Sequence, residues 1–321
     1  MAETCYATAV DIGATKVLCA LISSKGKIIA SLKEPTAKKD AMSLVSQIAS
    51  LIKRVNSLSG VDESSIMGVG IAVPGLVEGS DGVVVWAPNL TGWRDLPLKK
   101  LLRENFGINI PVFVDDDRVT SILGEQWLGA ARGAKDAVYL IIGTGIGAGI
   151  LVDGKPYKGR IVAGAVGWML IGENFMDRVY DKGCLESFAS GPNIARRAIE
   201  KVKKGTETIM ERMVNGKVDR ITCEVVFEAA RKGDQVALNV VRETAKYLGI
   251  AISNIVSILN PEVVVMGGGV GAASDLLLDD IENTVKSYSQ PYAVKGVKIV
   301  PSVLGANASL LGSAKLVFMH A

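Results

Sequence analysis

A strand–turn–strand pattern occurs twice, about half a chain apart, and it limits the folds open to this sequence. The first copy spans residues 7–27 and carries the small-residue turn Gly13-Ala14-Thr15 between two apolar strands. The second spans residues 138–155 and carries the turn Gly143-Thr144-Gly145 in the same place. Such a repeat predicts a duplicated α/β architecture of two domains, with a central cleft where the two turns hold a nucleotide's phosphates. Two unrelated hairpins are the alternative, and the turns alone do not decide between them.

Three consecutive acids, Asp115, Asp116 and Asp117, end the short apolar run 111–114. The run has the pattern of a buried strand, and residues 119–128 then follow helical spacing. Carboxylates at such a junction are costly to bury unless they face a cleft, cations or water, and the start of a helix favours negative charge. By itself the segment is more typical of a solvated acidic turn. Between two phosphate turns, it predicts an acidic functional site.

Length and composition narrow the class of protein. The chain has 321 residues, which exceeds the usual size of one domain, and 49% of them are hydrophobic, enough for a sizeable core. The formal net charge is only +3 and the basic residues are scattered, so we expect no nucleic acid partner. The sequence shows neither a leader-like segment nor a long uncharged apolar stretch. We therefore expect a cytoplasmic protein that does not enter a membrane.

The supply of catalytic groups is also restricted. The single histidine is His320, so histidine-based triads and histidine-rich metal sites are not expected. The four cysteines lie far apart without a CxxC pair, which is typical of reduced, buried thiols rather than of a disulfide framework or a zinc site. Any catalytic proton transfer then falls to carboxylates.

Common nucleotide motifs do not account for the glycine-rich turns. The sequence has no GxxxxGK[ST] motif, which excludes a Walker-type loop. Residues 143–148 fit GxGxxA but open a strand rather than a helix. Residues 267–272 follow a strand and precede a helix, but they lie too near the C-terminus to leave room for a dinucleotide-binding fold. A nicotinamide-dependent oxidoreductase is therefore not expected.

Seven short motifs resemble those of the ROK family of sugar kinases and repressors, in the family's order and over nearly the whole chain. Each is weak alone, and together they are specific. They are Asp11-Ile12-Gly13-Ala14-Thr15-Lys16, Pro74-Gly75, Pro88-Asn89-Leu90-Thr91-Gly92-Trp93, Leu123-Gly124-Glu125, Gly143-Thr144-Gly145-Ile146-Gly147, Gly183-Cys184-Leu185-Glu186, and Leu259-Asn260-Pro261 with Gly267-Gly268-Gly269.

The resemblance implies an actin-like, hexokinase-type (ribonuclease H-like) fold. We expect a small N-terminal domain over residues 1–117 and a large domain over residues 118–308. The last helix, residues 309–321, is expected to pack back on the small domain. As partners, the resemblance implies ATP, a hexose and a second copy of the chain in a homodimer or homotetramer.

The same resemblance implies transfer of the γ-phosphoryl group of ATP, with Mg²⁺, to the 6-hydroxyl of a hexose, glucose first among the candidates. Carried over residue by residue, Asp117 is the general base, which orients the hydroxyl more than it activates it. Asp11 holds magnesium through water. The remaining nucleotide residues are Gly13, Thr15, Lys16, Gly143, Thr144 and Gly145 at the phosphates, and Gly267 and Gly268 at the adenosine.

The implied sugar site departs from the family pattern in two ways. Its residues are Gly75, Asn89, Asp116, Glu186 and Trp168, although Glu186 is equally an acid at the start of a helix. Where the family has Gly-Glu-x-Gly-His, this chain has Ala165 for the glutamate and Trp168 for the histidine, so stacking on the indole replaces polar contacts. Fewer polar contacts predict weaker discrimination among hexoses. The family's cysteine-rich zinc loop is reduced to Cys184, so no zinc site is expected.

Three alternatives to a glucose kinase follow from the same resemblance. An N-acetylhexosamine kinase would use the same machinery on a substituted sugar. A catalytically weak, kinase-like sugar sensor would explain the missing glutamate and histidine. Some members of the family are repressors with a DNA-binding domain before the kinase-like part, but only ten residues precede Asp11 here, so repression is not expected.

Overall fold

The computed structural model of the protein describes residues 5–78, 81–172 and 183–320. The first elements in chain order are β1 Tyr6–Ile12, β2 Lys16–Ser23, β3 Ile28–Pro35, α1 Ala41–Ser59, β4 Ile66–Val73, β5 Leu76–Glu78, β6 Val83–Trp86, β7 Arg94–Pro97, α2 Leu98–Glu104, β8 Val112–Asp116 and α3 Asp117–Leu128. The others are β9 Ala137–Ile142, β10 Ile146–Val152, β11 Lys155–Pro156, α4 Cys184–Ala189, α5 Gly191–Lys203, α6 Ile209–Met213, α7 Cys223–Arg231, α8 Gln235–Leu259, β12 Val263–Gly267, α9 Gly268–Gly271, α10 Ser274–Tyr288, β13 Lys298–Pro301 and α11 Ala308–His320.

Two five-stranded sheets have the same topology. The first has the order β3-β2-β1-β4-β8 and the second the order β11-β10-β9-β12-β13. In the first sheet, β1 pairs antiparallel with β2 and parallel with β4, which in turn pairs parallel with β8. In the second sheet, β9 pairs antiparallel with β10 and parallel with β12, which in turn pairs parallel with β13. The predicted duplication is therefore confirmed at the level of strand order and direction. The turns at residues 13–15 and 143–145 join equivalent strands.

The chain divides into two compact units. The first extends to Gly133 and takes in Pro156–Ala163 and the chain from Ala306 onward, and the second comprises Ala134–Lys155 and Gly164–Gly305. The sequence predicted a boundary at residue 117, but α3 packs on α11 and β8 and so continues the first unit. The boundary thus lies later than predicted, because the helix that follows the acidic strand is part of the first unit's core.

Helix α1 covers the first sheet as its hydrophobic spacing predicts. Its apolar face, including Leu44, Ile48 and Val55, is buried against the sheet. Asp40 caps the N-terminus by accepting a hydrogen bond of 2.7 Å from the amide of Ser43, and Gly60 ends the helix in the left-handed region with φ 67°. Helix α8 buries its apolar stripe in the second unit.

Helices α3 and α11 of the first unit cross with their backbones in contact. A side chain at Gly124 would overlap the carbonyl oxygen of Ala308, and one at Gly312 would overlap the carbonyl oxygen of Thr120. Glycine is therefore required at both positions by close approach. Helix α11 also packs on β1 and β4, so it lies on the first sheet beside the predicted acidic site.

Within the residues that the structure describes, no helix combines the length and apolar character needed to span a bilayer.

Candidate active site

The three acids lie at the carboxyl end of β8 in different surroundings. Asp115 and Asp116 are the last residues of the strand, and Asp117 is the first of α3. Asp115 is buried, and its Oδ2 lies 2.6 Å from Nζ of Lys158, in the segment that returns to this unit. Burial raises the pKa of the Asp115 carboxyl, and the cation of Lys158 opposes that rise. Asp115 is thus held in an ion pair that the local sequence pattern did not predict.

Asp116 caps helix α3. Its Oδ1 accepts hydrogen bonds of 3.0 Å from the amides of Arg118 and of Val119, which are unpaired at a helix start. The guanidinium of Arg118 binds both carboxylate oxygens, at 3.2 Å through Nε and 2.9 Å through its terminal nitrogen. Asp116 is only 5% exposed. Its predicted contact with a sugar hydroxyl stays a prediction. The observed contacts show that Asp116 stabilises the start of α3.

Asp117 has the properties of a proton acceptor near neutral pH. Loss of water around the carboxyl, followed by the negative charges of Asp116 and then Asp11, raises its pKa to about 7, and Arg118 opposes the rise. The residue nevertheless keeps accessible surface. A carboxyl group with a pKa near the working pH is suited to general base catalysis.

Asp11 lies on β1 and is bound by a residue from the other end of the chain. Ser309, in the first turn of α11, donates a hydrogen bond of 2.9 Å from Oγ to Oδ1 of Asp11. Burial raises the pKa of Asp11, and the hydrogen bond from Ser309 and the charge of Lys16 oppose the rise. In the adjoining turn the amide of Gly13 donates to the carbonyl of Lys16 at 2.9 Å, while Thr15 and Lys16 are exposed. Their backbone and side chains are available to phosphate oxygens.

The resemblance implies magnesium, and the residues fit a water-mediated ion. Mg²⁺ keeps several waters and binds proteins through one or two carboxylates plus substrate phosphates. Asp11 offers one such carboxylate and uses Oδ1 for Ser309. Among the described residues there is no group of three or more histidine, cysteine or acidic side chains arranged to hold an ion. The expectation of no zinc site stays a prediction, because residues 173–182, which precede Gly183 and Cys184, lie outside the described residues.

Two predicted sugar residues, Gly75 and Asn89, lie in loops of the first unit. A side chain at Gly75 would overlap the carbonyl oxygen of Trp86, so the backbone at Gly75 packs closely against the backbone at Trp86. Asn89 is exposed in a turn that is closed by a 3.0 Å hydrogen bond from the amide of Ala87 to the carbonyl of Trp93. Trp93 is itself 2% exposed and anchors the turn in the core. The side chain of Asn89 is therefore exposed to solvent on a loop that is fixed in the core.

In the second unit, Glu186 is bound to the turn at residues 143–145. Its Oε2 accepts a 3.0 Å hydrogen bond from the amide of Ile146 and lies beside Gly145. The turn is also fixed by a 2.8 Å hydrogen bond from the amide of Gly191 to the carbonyl of Gly143. Glu186 thus holds a predicted phosphate turn in shape, and its predicted role with a sugar remains a prediction. Thr144 is exposed at the tip of the turn.

A pocket of 480 Å³ opens beside that turn, entirely within the second unit. Helices α5 and α7 both begin at it, and helix N-termini favour anionic groups. Its volume is within the range of small-molecule sites. It is lined by Gly143, Thr144, Gly191, Pro192, Ala195, Ile221, Thr222, Cys223, Glu224, Gly269 and Val270.

The predicted contact of Gly267 and Gly268 with adenosine stays a prediction. Gly267 and Gly268 do not line the pocket; a side chain at Gly267 would overlap the hydroxyl of Tyr139, and one at Gly268 would overlap the backbone of Ile142. These two glycines are needed for packing of β12 on β9. Gly269 is exposed, and a side chain there would meet open space. Within the glycine run, Gly269 therefore faces the pocket.

Sequence reasoning missed the lining from α5 and from residues 221–224. Signals for two helix starts were present: a proline follows Gly191 in the first turn of α5, and Thr222 caps α7 by accepting from the amide of Val225. Nothing local related these starts to the turn at 143–145. Trp168, in a short 3₁₀ turn of the same unit, is 57% exposed, so its indole is available for stacking, and that role stays a prediction.

Comparison with known proteins identifies the family of the chain. The sequence pattern of the ROK family matches residues 7–319. The chain belongs to the ROK family. Its fold is accordingly the two-domain, mixed α/β fold of the actin-like, hexokinase type.

Relatives within the ROK family include both enzymes and regulators. A glucokinase of Halalkalibacterium halodurans is 37% identical over 312 residues, which are 96% of this chain and 93% of the relative. A xylose repressor of Caldicellulosiruptor bescii is 32% identical, with 96% of this chain and 77% of the repressor covered. A crystal structure of a ROK glucokinase from Streptomyces griseus with glucose and AMPPNP has a TM-score of 0.81 at 29% identity, covering 98% of this chain and 99% of the other.

Proposed function

We propose that this protein is an ATP-dependent sugar kinase that transfers the γ-phosphoryl group to the 6-hydroxyl of a hexose, with glucose the first candidate. The observation that carries the proposal is Asp117, a residue of intermediate exposure at a strand-to-helix junction, whose carboxyl pKa is raised by burial to about 7. Similarity to glucokinases over nearly the whole chain supports the same reaction.

In the proposed reaction Asp117 accepts the proton of the sugar hydroxyl as the oxygen attacks the γ-phosphorus. The bond from that phosphorus to the β–γ bridging oxygen breaks, and ADP leaves. Such transfer depends mainly on positioning and on neutralising charge, so the base chiefly orients the hydroxyl. Magnesium, when bound near Asp11, supplies part of that neutralisation. The backbone around Gly13 and the side chains of Thr15 and Lys16 would contact phosphate oxygens from the first unit.

For the nucleotide, we propose that the pocket of the second unit takes the adenosine. Its volume of 480 Å³, its two helix N-termini and its position beside Thr144 support this assignment. Gly143, Thr144 and Gly145 would contact phosphates, since their turn is fixed by Gly191 and Glu186 and its tip is exposed. Gly269 would lie against the nucleoside in place of Gly267 and Gly268.

For the sugar, we propose contacts from Asn89, Asp116, Glu186 and Trp168. Gly75 would shape the turn between β4 and β5. Because Asp116 and Glu186 already accept hydrogen bonds from the protein, they have fewer lone pairs to offer a sugar. This supports weak discrimination among hexoses, and it keeps two alternatives: an N-acetylhexosamine kinase and a catalytically weak sugar sensor. Similarity to a xylose repressor supports testing for a regulatory role as well.

The proposal is tested by measuring ADP release with glucose, mannose, fructose, glucosamine and N-acetylated hexosamines. We expect turnover with glucose, and turnover with at least one further hexose within about tenfold in kcat/KM, because one lost polar contact is worth about 1 to 3 kcal/mol. Preference for an N-acetylated sugar would favour the first alternative. Sugar binding without turnover of any sugar would refute the kinase and favour the sensor.

The same assay tests the nucleotide pocket with Gly269→Val. A Cβ at residue 269 meets open space in a residue that lines the pocket, so we expect KM for ATP to rise about tenfold or more while KM for the hexose stays unchanged. Gly296→Val is the matched control, because that glycine also has open space around it and does not line the pocket. An unchanged KM for ATP in Gly269→Val would show that ATP binds elsewhere.

The pH dependence of kcat/KM tests Asp117 as the base. We expect activity to rise with pH through a midpoint near 7, because Asp117 must be ionised to accept a proton and its pKa is about 7. Asp116→Asn keeps a capping side chain but removes a negative charge, so the midpoint should move to lower pH. Arg118→Gln removes the opposing positive charge, so the midpoint should move to higher pH.

Asp219→Asn is the control for these pH profiles. Its side chain is 81% exposed in the second unit, so its charge should leave the midpoint unchanged. A wild-type midpoint near the ordinary value for aspartate would argue against a buried base. The same conclusion would follow if Asp116→Asn and Arg118→Gln moved the midpoint in the same direction.

A further inference from the structure

Two hydroxyl groups of the first unit connect Asp11, the carboxylate proposed for magnesium, to the helix that begins with Asp117. Oγ of Ser309 is 2.9 Å from Oδ1 of Asp11 and 3.0 Å from Oγ1 of Thr120. Thr120 is fully buried in the first turn of α3, and its Oγ1 lies 3.1 Å from the carbonyl oxygen of Asp117. The two hydroxyls therefore form a continuous bridge between β1 and α3.

The hydrogen bonds in this bridge have a defined direction when Asp11 is ionised. An ionised carboxylate only accepts, so the one proton of the Ser309 hydroxyl goes to Asp11. The Ser309 oxygen then accepts from Thr120, whose single hydroxyl proton is shared with the carbonyl oxygens of Asp116 and Asp117. Ser309 is thereby fixed as a donor to Oδ1 of Asp11.

Close packing makes this arrangement rigid. The crossing of α3 and α11 at Gly124 and Gly312 places backbone against backbone, so Ser309 and Thr120 are held on fixed supports. The Ser309 hydroxyl thus occupies one position relative to Asp11 and α3, as a preorganised support requires.

We propose that Ser309 and Thr120 are positioning residues for the phosphoryl-transfer site, which orient Asp11 toward the water shell of the nucleotide's divalent cation and fix it relative to Asp117. This inference rests on the proposed function for the identity of the ligand. Groups that orient a ligating side chain typically contribute about 10- to 100-fold to metal affinity when they act directly, so a water-mediated contact is expected at the lower end.

The test measures Mn²⁺ binding by electron paramagnetic resonance in the presence of a non-hydrolysable ATP analogue. We expect Ser309→Ala to weaken Mn²⁺ binding about tenfold and to raise the Mg²⁺ concentration needed for half-maximal activity by a similar factor, with KM for the hexose unchanged. Ser309→Thr keeps the hydroxyl and should bind Mn²⁺ within about twofold of wild type. Unchanged Mn²⁺ binding in Ser309→Ala would overturn the proposal.

Ser313→Ala is the matched control, because it removes a buried hydroxyl from the same helix without touching Asp11. It should leave Mn²⁺ binding unchanged, and an equal loss in Ser309→Ala and Ser313→Ala would mean that the serines act only through the fold. Thr120→Val tests whether the two hydroxyls act together. The double variant Thr120→Val, Ser309→Ala should bind Mn²⁺ no more weakly than Ser309→Ala alone. Additive losses would overturn the shared action of the two hydroxyls.

The outcomes also separate this inference from the proposed function. A wild-type protein that binds Mn²⁺ with the nucleotide but phosphorylates no sugar would refute the kinase, and the resonance measurement would still decide the role of Ser309. A wild-type protein that binds no Mn²⁺ with the nucleotide would overturn both.

Discussion

Asp117→Asn is expected to lower hexose turnover by roughly 10²- to 10⁴-fold, the usual contribution of a positioned general base. The amide keeps the size of the carboxyl but accepts no proton at neutral pH, so the attacking hydroxyl loses its partner. Affinity for a non-hydrolysable ATP analogue, measured by calorimetry, should stay near the wild-type value, because Asp117 is proposed to contact the sugar hydroxyl and is not among the residues proposed to contact the nucleotide.

The same variant should gain stability at alkaline pH. The folded-state pKa of Asp117 is about 7 and the ordinary value is 3.8, so the folded protein binds more protons than the unfolded chain between these values. The free energy of unfolding contributed by this group therefore falls as pH rises through that window. Asparagine carries no such penalty, so Asp117→Asn should have a higher Tm than wild type at pH 8 and a smaller advantage at pH 5.

Two results would contradict this account of Asp117. A loss of ATP affinity as large as the loss of turnover would assign the residue to the metal or to the fold. A lower Tm than wild type at pH 8 would show that the carboxylate is stabilised in the folded protein. Asp219→Asn replaces an exposed acid of the second unit and should change neither the affinity for ATP nor the Tm.

Gly312→Ala is expected to reduce the free energy of unfolding by at least about 3 kcal/mol, near the upper end of the usual cost of overpacking. The new methyl group would overlap the carbonyl oxygen of Thr120, and no rotamer change can relieve a clash with the backbone. Helices α3 and α11 must then separate, which also displaces Ser309 from Asp11. Urea unfolding monitored by circular dichroism measures the loss, and activity of the remaining folded protein should fall with it.

Gly296→Ala is the control for this substitution. That glycine has φ −103°, which alanine adopts readily, and a side chain there meets open space. The free energy of unfolding should change by less than about 1 kcal/mol, with a small gain expected from the less flexible unfolded chain. Equal effects in the two variants would mean that the crossing of α3 and α11 tolerates a wider separation.

Much of the fold follows from local patterns. The repeated strand–turn–strand unit predicted two equivalent sheets, and both have the same strand order. The hydrophobic spacing within α1 and α8 matches their buried faces, because a helix that packs on other elements must turn one apolar stripe inward. The acidic run was correctly placed between a strand and a helix, although β8 itself extends through Asp116.

The remaining features depend on contacts between distant parts of the chain. The ion pair of Asp115 with Lys158 and the hydrogen bond of Asp11 with Ser309 join residues that no local spacing relates. The pocket of the second unit likewise collects the starts of α5 and α7 beside Gly269. A sequence pattern reports which face of an element is apolar, but it does not report which distant hydroxyl or cation will meet a buried acid. The later domain boundary has the same origin, since it depends on the packing of α3 against α11.

The position of α11 has a consequence for biosynthesis. Ser309 binds Asp11 across 298 residues of sequence, and α11 packs directly on β1 and β4 of the first sheet. A ribosome delivers β1 early and α11 late, so the nascent first sheet is without this cover for most of translation. The arrangement of Asp11 and Asp117 described above can form only after residues 308–320 leave the exit tunnel. Kinase activity is therefore expected only in chains whose residues 308–320 have left the tunnel.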